Sequence, residues 1–300
     1  MTEAAAFPGA IAKPKAFLRL VKIEHSVFAL PFAYVAALAA GFRVSGSVHW
    51  LHLVLVTVAM VAARTFAMAA NRIIDRRIDA QNPRTATREL VTGVVAVRTA
   101  MIGTVVALGV FLAAAAALGW LCLALAPAAV VPLVVYPYAK RFTDFPQVIL
   151  GIAQAVAPIG AWIAITGHWS WAAVVLGLAV GAWIGGFDLI YACQDVEVDR
   201  RIGVRSVPAR FGVRAALIAS VVTHAVTFAL FVVFGLMEHF GALWWAGIAV
   251  TAGAFGYEHA IVRPGDLSRV NRAFFTANGF VGIALFVFAL ADLLVRGLHG

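Results

Sequence analysis

The sequence predicts an all-α polytopic membrane protein, a bundle of about nine transmembrane helices with its active site on the cytoplasmic side. Three observations carry that reading. Hydrophobic residues fill 63% of the 300 positions and charged residues only 12%, against roughly 25% charged in a soluble domain. Apolar runs long enough to cross a bilayer recur along the whole chain. Basic residues fall almost entirely on alternate connections between those runs.

In order, the spans are predicted at 26–43, 51–70, 98–118, 120–137, 147–166, 171–193, 213–236, 242–258 and 275–296, with only Gly119 between the third and fourth. Ahead of them, Lys15 to Glu24 is amphipathic and is expected to lie on the membrane surface. Residues 1–25 then form an N-terminal cytoplasmic or interfacial segment and 26–300 a single transmembrane domain. No small-residue cleavage site follows an apolar core in the first 25 residues, so no cleaved signal peptide is expected. Of the 23 Lys and Arg, twenty lie on one side, Arg43 and Arg296 on the other, and Arg64 inside the second span. The positive-inside rule makes the N-terminus and the long connections after spans two and six cytoplasmic, with the C-terminus outside. The net charge of +9 is thus topology plus a site, which argues against a nucleic-acid partner. Cys122 and Cys193, in or beside apolar runs, suggest neither a disulfide nor a thiolate metal site.

Chemistry is concentrated in three stretches. The first is Asn71-Arg72-Ile73-Ile74-Asp75-Arg76-Arg77-Ile78-Asp79. On an α-helix its four-residue spacing puts Asn71, Asp75 and Asp79 on one face, with a rise of about 6 Å between neighbours. Carboxylates so placed repel one another unless a cation lies between them, which suits a metal. Arg64 falls two turns back on that face, and an intramembrane arginine faces a cavity or a partner. Downstream, Asn82-Pro83 breaks the helix and the stretch to Leu90 adds Arg84 and Arg88. A solvated loop end laced with salt bridges is the plain alternative.

The second stretch repeats the rhythm at Asp195 and Asp199, with Asp188 and Tyr191 further up the helix after the flexible pair Gly185-Gly186. Glu197 falls off the acidic face. Two acidic pairs at one end of a bundle suit divalent ions that bridge a polyphosphate, with arginines and lysines taking the remaining charge. The third, Tyr136-Pro137-Tyr138-Ala139-Lys140-Arg141, is either topogenic charge or a pyrophosphate contact.

With those residues in view, NRIIDRRID resembles the N-x-x-x-D-x-x-x-D motif of the UbiA-type intramembrane aromatic prenyltransferases. YACQDVEVDRRIGVRS is similar to their second motif, Y-x-x-x-D-x-x-x-D, and YPYAKRFT to their span-four segment. The similarity runs from His25 to the last span. It implies a nine-helix bundle in the inner (cytoplasmic) membrane that holds a polyprenyl diphosphate through two Mg²⁺ ions and passes the prenyl group to an aromatic acceptor. Asn71, Asp75, Asp79, Asp195 and Asp199 match the metal positions. Arg72, Lys140 and Arg141 match basic positions near the diphosphate, and Arg64 also stands where relatives have an arginine. The stretches EHSVFALPFAY, NPRTATRELVTG and FDLIYACQDVEVD resemble the branch acting on aromatic carboxylic acids in quinone synthesis. Within it 1,4-dihydroxy-6-naphthoate, for menaquinone, is expected ahead of 4-hydroxybenzoate, for ubiquinone.

The expected reaction is electrophilic aromatic substitution. Asp188 is the expected activator of the acceptor hydroxyl, with Tyr191 beside it. His25 is either an acceptor contact or an interface histidine. Two other readings stand beside this one: a relative acting on haem or a chlorophyll precursor, and an ion or metabolite transporter. Against transport, the acids cluster at one face, and His224 and Glu258 read as isolated.

Overall fold

The computed structural model describes Phe17, Leu20, Val21 and residues 29–297. His25, nearly all of the amphipathic stretch and the start of the first predicted span lie outside the described residues. The described chain is helical: α1 (Leu30–Ser45), α2 (Trp50–Asp79), α3 (Val97–Leu118), α4 (Trp120–Ala139), α5 (Pro146–Thr166), α6 (Trp171–Ala192), α7 (Val196–Ile202), α8 (Val207–Phe211), α9 (Val213–Met237), α10 (Ala242–Ile261), α11 (Val270–Arg272) and α12 (Asn278–Gly297). Among the described residues no strand forms, and the one β-bridge pairs Arg263 with Asp266.

Seven of these segments are long and apolar enough to cross a membrane. The sixth predicted span is α6 carried on through α7, Trp171–Ile202, and the last is Val270–Arg296. The other two predicted spans fall on α1, of 16 residues, and α10, of 20. Gly119 does separate α3 from α4: at φ 132° and ψ 159° it takes a conformation open to glycine alone, so the chain reverses with one residue.

Helices α2 to α5 pack in sequence as one group, and α6, α9, α10 and α12 as a second. Between them α1 touches α5 and α12, and from Pro31 to Gly41 every residue but Tyr34 is buried. The groups meet where Gly151 of α5 faces Gly181 of α6. A Cβ on Gly181 would stand 2.5 Å from the Gly151 carbonyl oxygen, so only glycine lets the two backbones approach this closely. On the outside, Met101, Ile102, Val105 and Val106 of α3 are exposed, an apolar face suited to lipid. Trp50, Trp120, Trp169 and Trp171 are exposed at the helix ends away from the acidic stretches, the aromatic pattern of a membrane interface.

Three local expectations need correction. The second acidic stretch does not lie on one continuous α-helix: α6 ends at Ala192, and Cys193–Asp195 forms a 3₁₀ turn before α7. With three residues per turn rather than 3.6, that segment adds about 60° of rotation and swings Asp195 off the Asp188 stripe. Helix α2 stops at Asp79, ahead of Pro83, because Thr85 Oγ1 donates to the Asp79 carbonyl at 2.9 Å and the Arg84 amide donates to Asn82 Oδ1 at 2.9 Å. Gly185 and Gly186 lie buried within α6, where they give close packing rather than flexibility.

Candidate active site

An internal cavity of about 340 Å³ runs between α2, α3, α4, α5 and α6. Small and apolar side chains such as Ala115, Ala126, Ala129 and Ala153 line its length. Its walls turn polar toward one end, where Arg64, Asn71, Arg72, Asp188 and Tyr191 face in. Nε of both Arg64 and Arg72 is buried without a hydrogen-bond partner, two donors available to an anion. Asp188 has no ion-pair or hydrogen-bond partner among the described residues.

One and two turns beyond Asn71 on α2 are Asp75 and Asp79, both buried. The Lys140 ammonium stands 2.5 Å from Asp75 Oδ2, and Arg141 Nη2 is 3.3 Å from Oδ1. Asp79 Oδ1 accepts from Arg88 Nη1 at 2.6 Å. Across the cluster, Asp195 Oδ1 accepts from Arg84 Nε at 2.9 Å and from Asn82 Nδ2 at 2.8 Å, with a shorter contact between Arg84 Nη2 and Oδ2. Asp199 is buried and accepts from Ser206 Oγ at 3.0 Å. Glu197 is exposed, as its position off the acidic face predicts.

The segment between α2 and α3 thus reaches across to the second acidic stretch. Arg84 also donates to the Tyr191 hydroxyl at 2.9 Å, and its guanidinium lies 5.1 Å from the centre of the Tyr191 ring. Burial pulls the Arg84 guanidinium down, but the hydrogen bond to Asp195 and the neighbouring charges outweigh it and hold the group above its ordinary range. Sequence reasoning named Arg84 and Arg88 only as further charge, and it missed Asn82 as a tie to Asp195. Their signal is the Asn-Pro-Arg turn itself, which stops α2 and aims the guanidinium groups back across the bundle.

A second clasp places Lys140. The Arg205 amide donates to the Lys140 carbonyl at 2.9 Å, its Nη1 donates to Phe142 O at 2.8 Å, and its Nε donates to Asp144 Oδ1 at 2.9 Å. The hydrogen bond from Arg205 holds the Asp144 carboxyl below its ordinary range. A depressed carboxyl contributes while ionised, so the Arg205–Asp144 pair holds at neutral pH and is lost as pH falls through the Asp144 value, leaving the two bonds to backbone carbonyls.

These groups also bear on a metal. Both Asp75 oxygens are buried and face only the cations of Lys140 and Arg141, so they offer the hard oxygen donors a divalent ion would use. Among the described residues no three acids, histidines or cysteines converge closely enough to hold an ion. The acids therefore fit an ion shared with phosphate oxygens rather than a cage of their own.

An apolar cavity in a helical membrane protein, with inward-facing guanidinium groups at its polar end and buried, cation-paired acids one and two turns beyond Asn71 on α2, is a chamber for an amphiphile with an anionic head. The chain matches the UbiA prenyltransferase family over residues 29–280 and belongs to it, and it is a transferase of prenyl groups. Over 233 residues it is 36% identical to the 4-hydroxybenzoate octaprenyltransferase of Xanthomonas campestris pv. campestris, which covers 78% of this chain and 77% of that one. The apo structure of a UbiA homologue from Aeropyrum pernix K1 aligns with TM-score 0.81 and 34% identity, covering 90% of this chain and 98% of that one. A UbiA homologue from Archaeoglobus fulgidus bound to GPP and Mg²⁺ aligns with TM-score 0.72 over 93% of this chain and 99% of that one, and at 22% identity it speaks to the fold alone.

Proposed function

We propose that the protein transfers a polyprenyl group from a polyprenyl diphosphate to an aromatic carboxylic acid in quinone synthesis. It would do so as one catalytic domain over 26–300, of nine spans, in the inner membrane, with its site facing the cytoplasm. The observation that carries the reading is the polar end of one apolar cavity, where Arg64, Asn71, Arg72, Arg88 and Asp188 face in and α2 runs on past Asn71 to the buried, cation-paired Asp75 and Asp79. In this reading Asn71, Asp75, Asp79, Asp195 and Asp199 hold two Mg²⁺ ions, which supply charge neutralisation for the departing diphosphate.

Arg72, Lys140 and Arg141 bind the diphosphate oxygens and stabilise the charge that grows as the allylic C–O bond ionises. The alanine-lined walls house the hydrocarbon tail and keep water from the allyl cation. Asp188, in the cavity wall, takes the proton of the acceptor hydroxyl, so that the electron-rich ring carbon attacks the cation, loses its own proton to the released diphosphate, and the product hydroxyl regains its proton from Asp188. Tyr191, which also lines the cavity and accepts from Arg84, orders the wall beside the acceptor, and Arg64 meets the acceptor end. Exchanging Arg141 for alanine is expected to raise KM for the prenyl donor by about tenfold, the worth of one charge-assisted hydrogen bond. Steady-state kinetics with varied donor checks this, and an unchanged donor KM would remove Arg141 from the site.

The acceptor divides two lines of support. Loop resemblance favours 1,4-dihydroxy-6-naphthoate, whereas curated relatives such as the X. campestris enzyme are named for 4-hydroxybenzoate. Membranes carrying the chain should be incubated with each acid plus a polyprenyl diphosphate and the products read by mass. A prenylated product from one acid is expected, and none from either would overturn the reading.

A further inference from the structure

A second polar cluster is buried among α6, α9, α10 and α12, and it uses none of the groups above. Glu258 on α10 is fully buried, and its Oε1 accepts from Asn278 Nδ2 at 2.8 Å. Asn278 Oδ1 accepts from the Trp183 indole N–H at 2.8 Å, and Asn278 Nδ2 also donates to the Ala273 carbonyl at 3.2 Å. Glu258 Oε2 makes no hydrogen bond and lies 3.7 Å from His224 Nδ1, which is 3.0 Å from His259 Nε2. The two residues that read as isolated in the sequence are therefore neighbours, because α9 and α10 pack side by side.

Stability alone does not explain this carboxyl. Well-packed hydrophobic replacements of buried ionic groups are often neutral or stabilising, and an ionisable side chain within a membrane is costly. What Glu258 does is commit the amide of Asn278. That amide then reaches back five residues to Ala273, across the π turn Ala273–Ala277 that joins α11 to α12. Such a turn inserts one residue into the helix and re-aims its side chains, often at a functional site.

The side chain it aims is Phe274, which lines the cavity. Its ring centre lies 4.4 Å from that of Tyr191 and 5.1 Å from that of Phe187. Phe187 in turn stands 5.2 Å edge-on to Trp183, whose N–H is held by Asn278. One asparagine thus fixes both sides of an aromatic wall beside Asp188.

We propose that Glu258 and Asn278 are positioning residues, a buried bracket that sets Phe274 as the wall, with Phe187 and Tyr191, against which the aromatic acceptor ring packs. This rests on the transfer reading above. Rings of this kind favour offset or edge-on neighbours, so a displaced Phe274 costs the acceptor and spares the diphosphate.

The test uses full-length protein in nanodiscs, with geranyl diphosphate as donor and 4-hydroxybenzoate and 1,4-dihydroxy-6-naphthoate as acceptors. Asn278→Leu and Phe274→Leu are each expected to raise acceptor KM by about tenfold and to leave donor KM within about twofold, as expected when positioning is lost. Glu258→Gln, which keeps an oxygen for the Asn278 amide, should stay near wild type, whereas Glu258→Leu should match Asn278→Leu. The Asn278→Leu/Phe274→Leu pair should be no worse than its worse member, since both act through one ring. Independently of turnover, hydrogen exchange at Ala273–Ala277 should quicken in Asn278→Leu while α4 stays protected. An unchanged acceptor KM in Asn278→Leu, a parallel rise in both KM values, or unaltered exchange in the π turn would overturn the proposal. Wild-type protein that prenylates neither acid overturns the transfer reading and the acceptor role with it, while the exchange result still decides the bracket.

Discussion

Asp75→Ala is expected to lower prenyl transfer by about 10²–10³-fold or more, the cost of deleting one preorganised charge that acts on the leaving group. Asp75 is 1% exposed, and among the described residues it is the acid on which both Lys140 and Arg141 converge. Breaking a buried ion pair usually destabilises a protein by about 3–5 kcal/mol. Here the cost is smaller, because Lys140 and Arg141 are 24% and 37% exposed and can turn to water once the carboxyl is gone. The variant should therefore accumulate in the membrane like wild type and give the same monodisperse profile in detergent. Asp75→Asn, which keeps the volume and removes the charge, should be as inactive. Folded protein of either kind with activity within about tenfold of wild type would sink the assignment of Asp75 to the diphosphate clamp.

Withdrawal of divalent metal is expected to stop turnover altogether, and added Mg²⁺ to restore it. The donor set sharpens this. Because no three acids converge among the described residues, a divalent ion held here would draw its further ligands from phosphate oxygens and water. Mg²⁺ should thus bind weakly to the protein alone and measurably tighter once a prenyl diphosphate is present, which calorimetry with and without geranyl diphosphate would read. Turnover that persists in excess chelator would reject the mechanism.

Seven of the spans were legible because an apolar run of bilayer length has few other readings, whereas the boundary at Gly119 was the weakest in the sequence and is decided by a backbone conformation open to glycine alone. Asn71, Asp75 and Asp79 could be placed on one face since helical geometry fixes neighbours within a few residues. Contacts between distant segments could not be read in that way. Asn82 and Asp195 are 113 residues apart, and Arg84 and Tyr191 are 107 apart, so their meeting depends on how α2 packs near α6. The 3₁₀ turn at Cys193–Asp195 leaves the four-residue spacing of the acids intact while changing the direction in which they point. His224 and Glu258 were misread for the same reason, since neither helix alone reveals the facing residue on the other.

The reversal at Gly119 also bears on how this chamber could change over evolutionary time. Leu118 and Cys122, which flank it, both line the cavity, and so does Ala115 one turn back. Any side chain at 119 would be strained at φ 132°, so the hairpin itself is closed to variation. Its neighbours are under no such restriction. Descendants of this sequence could therefore adjust the room for the hydrocarbon tail at three side chains without disturbing the backbone that holds them or the charges at the opposite end.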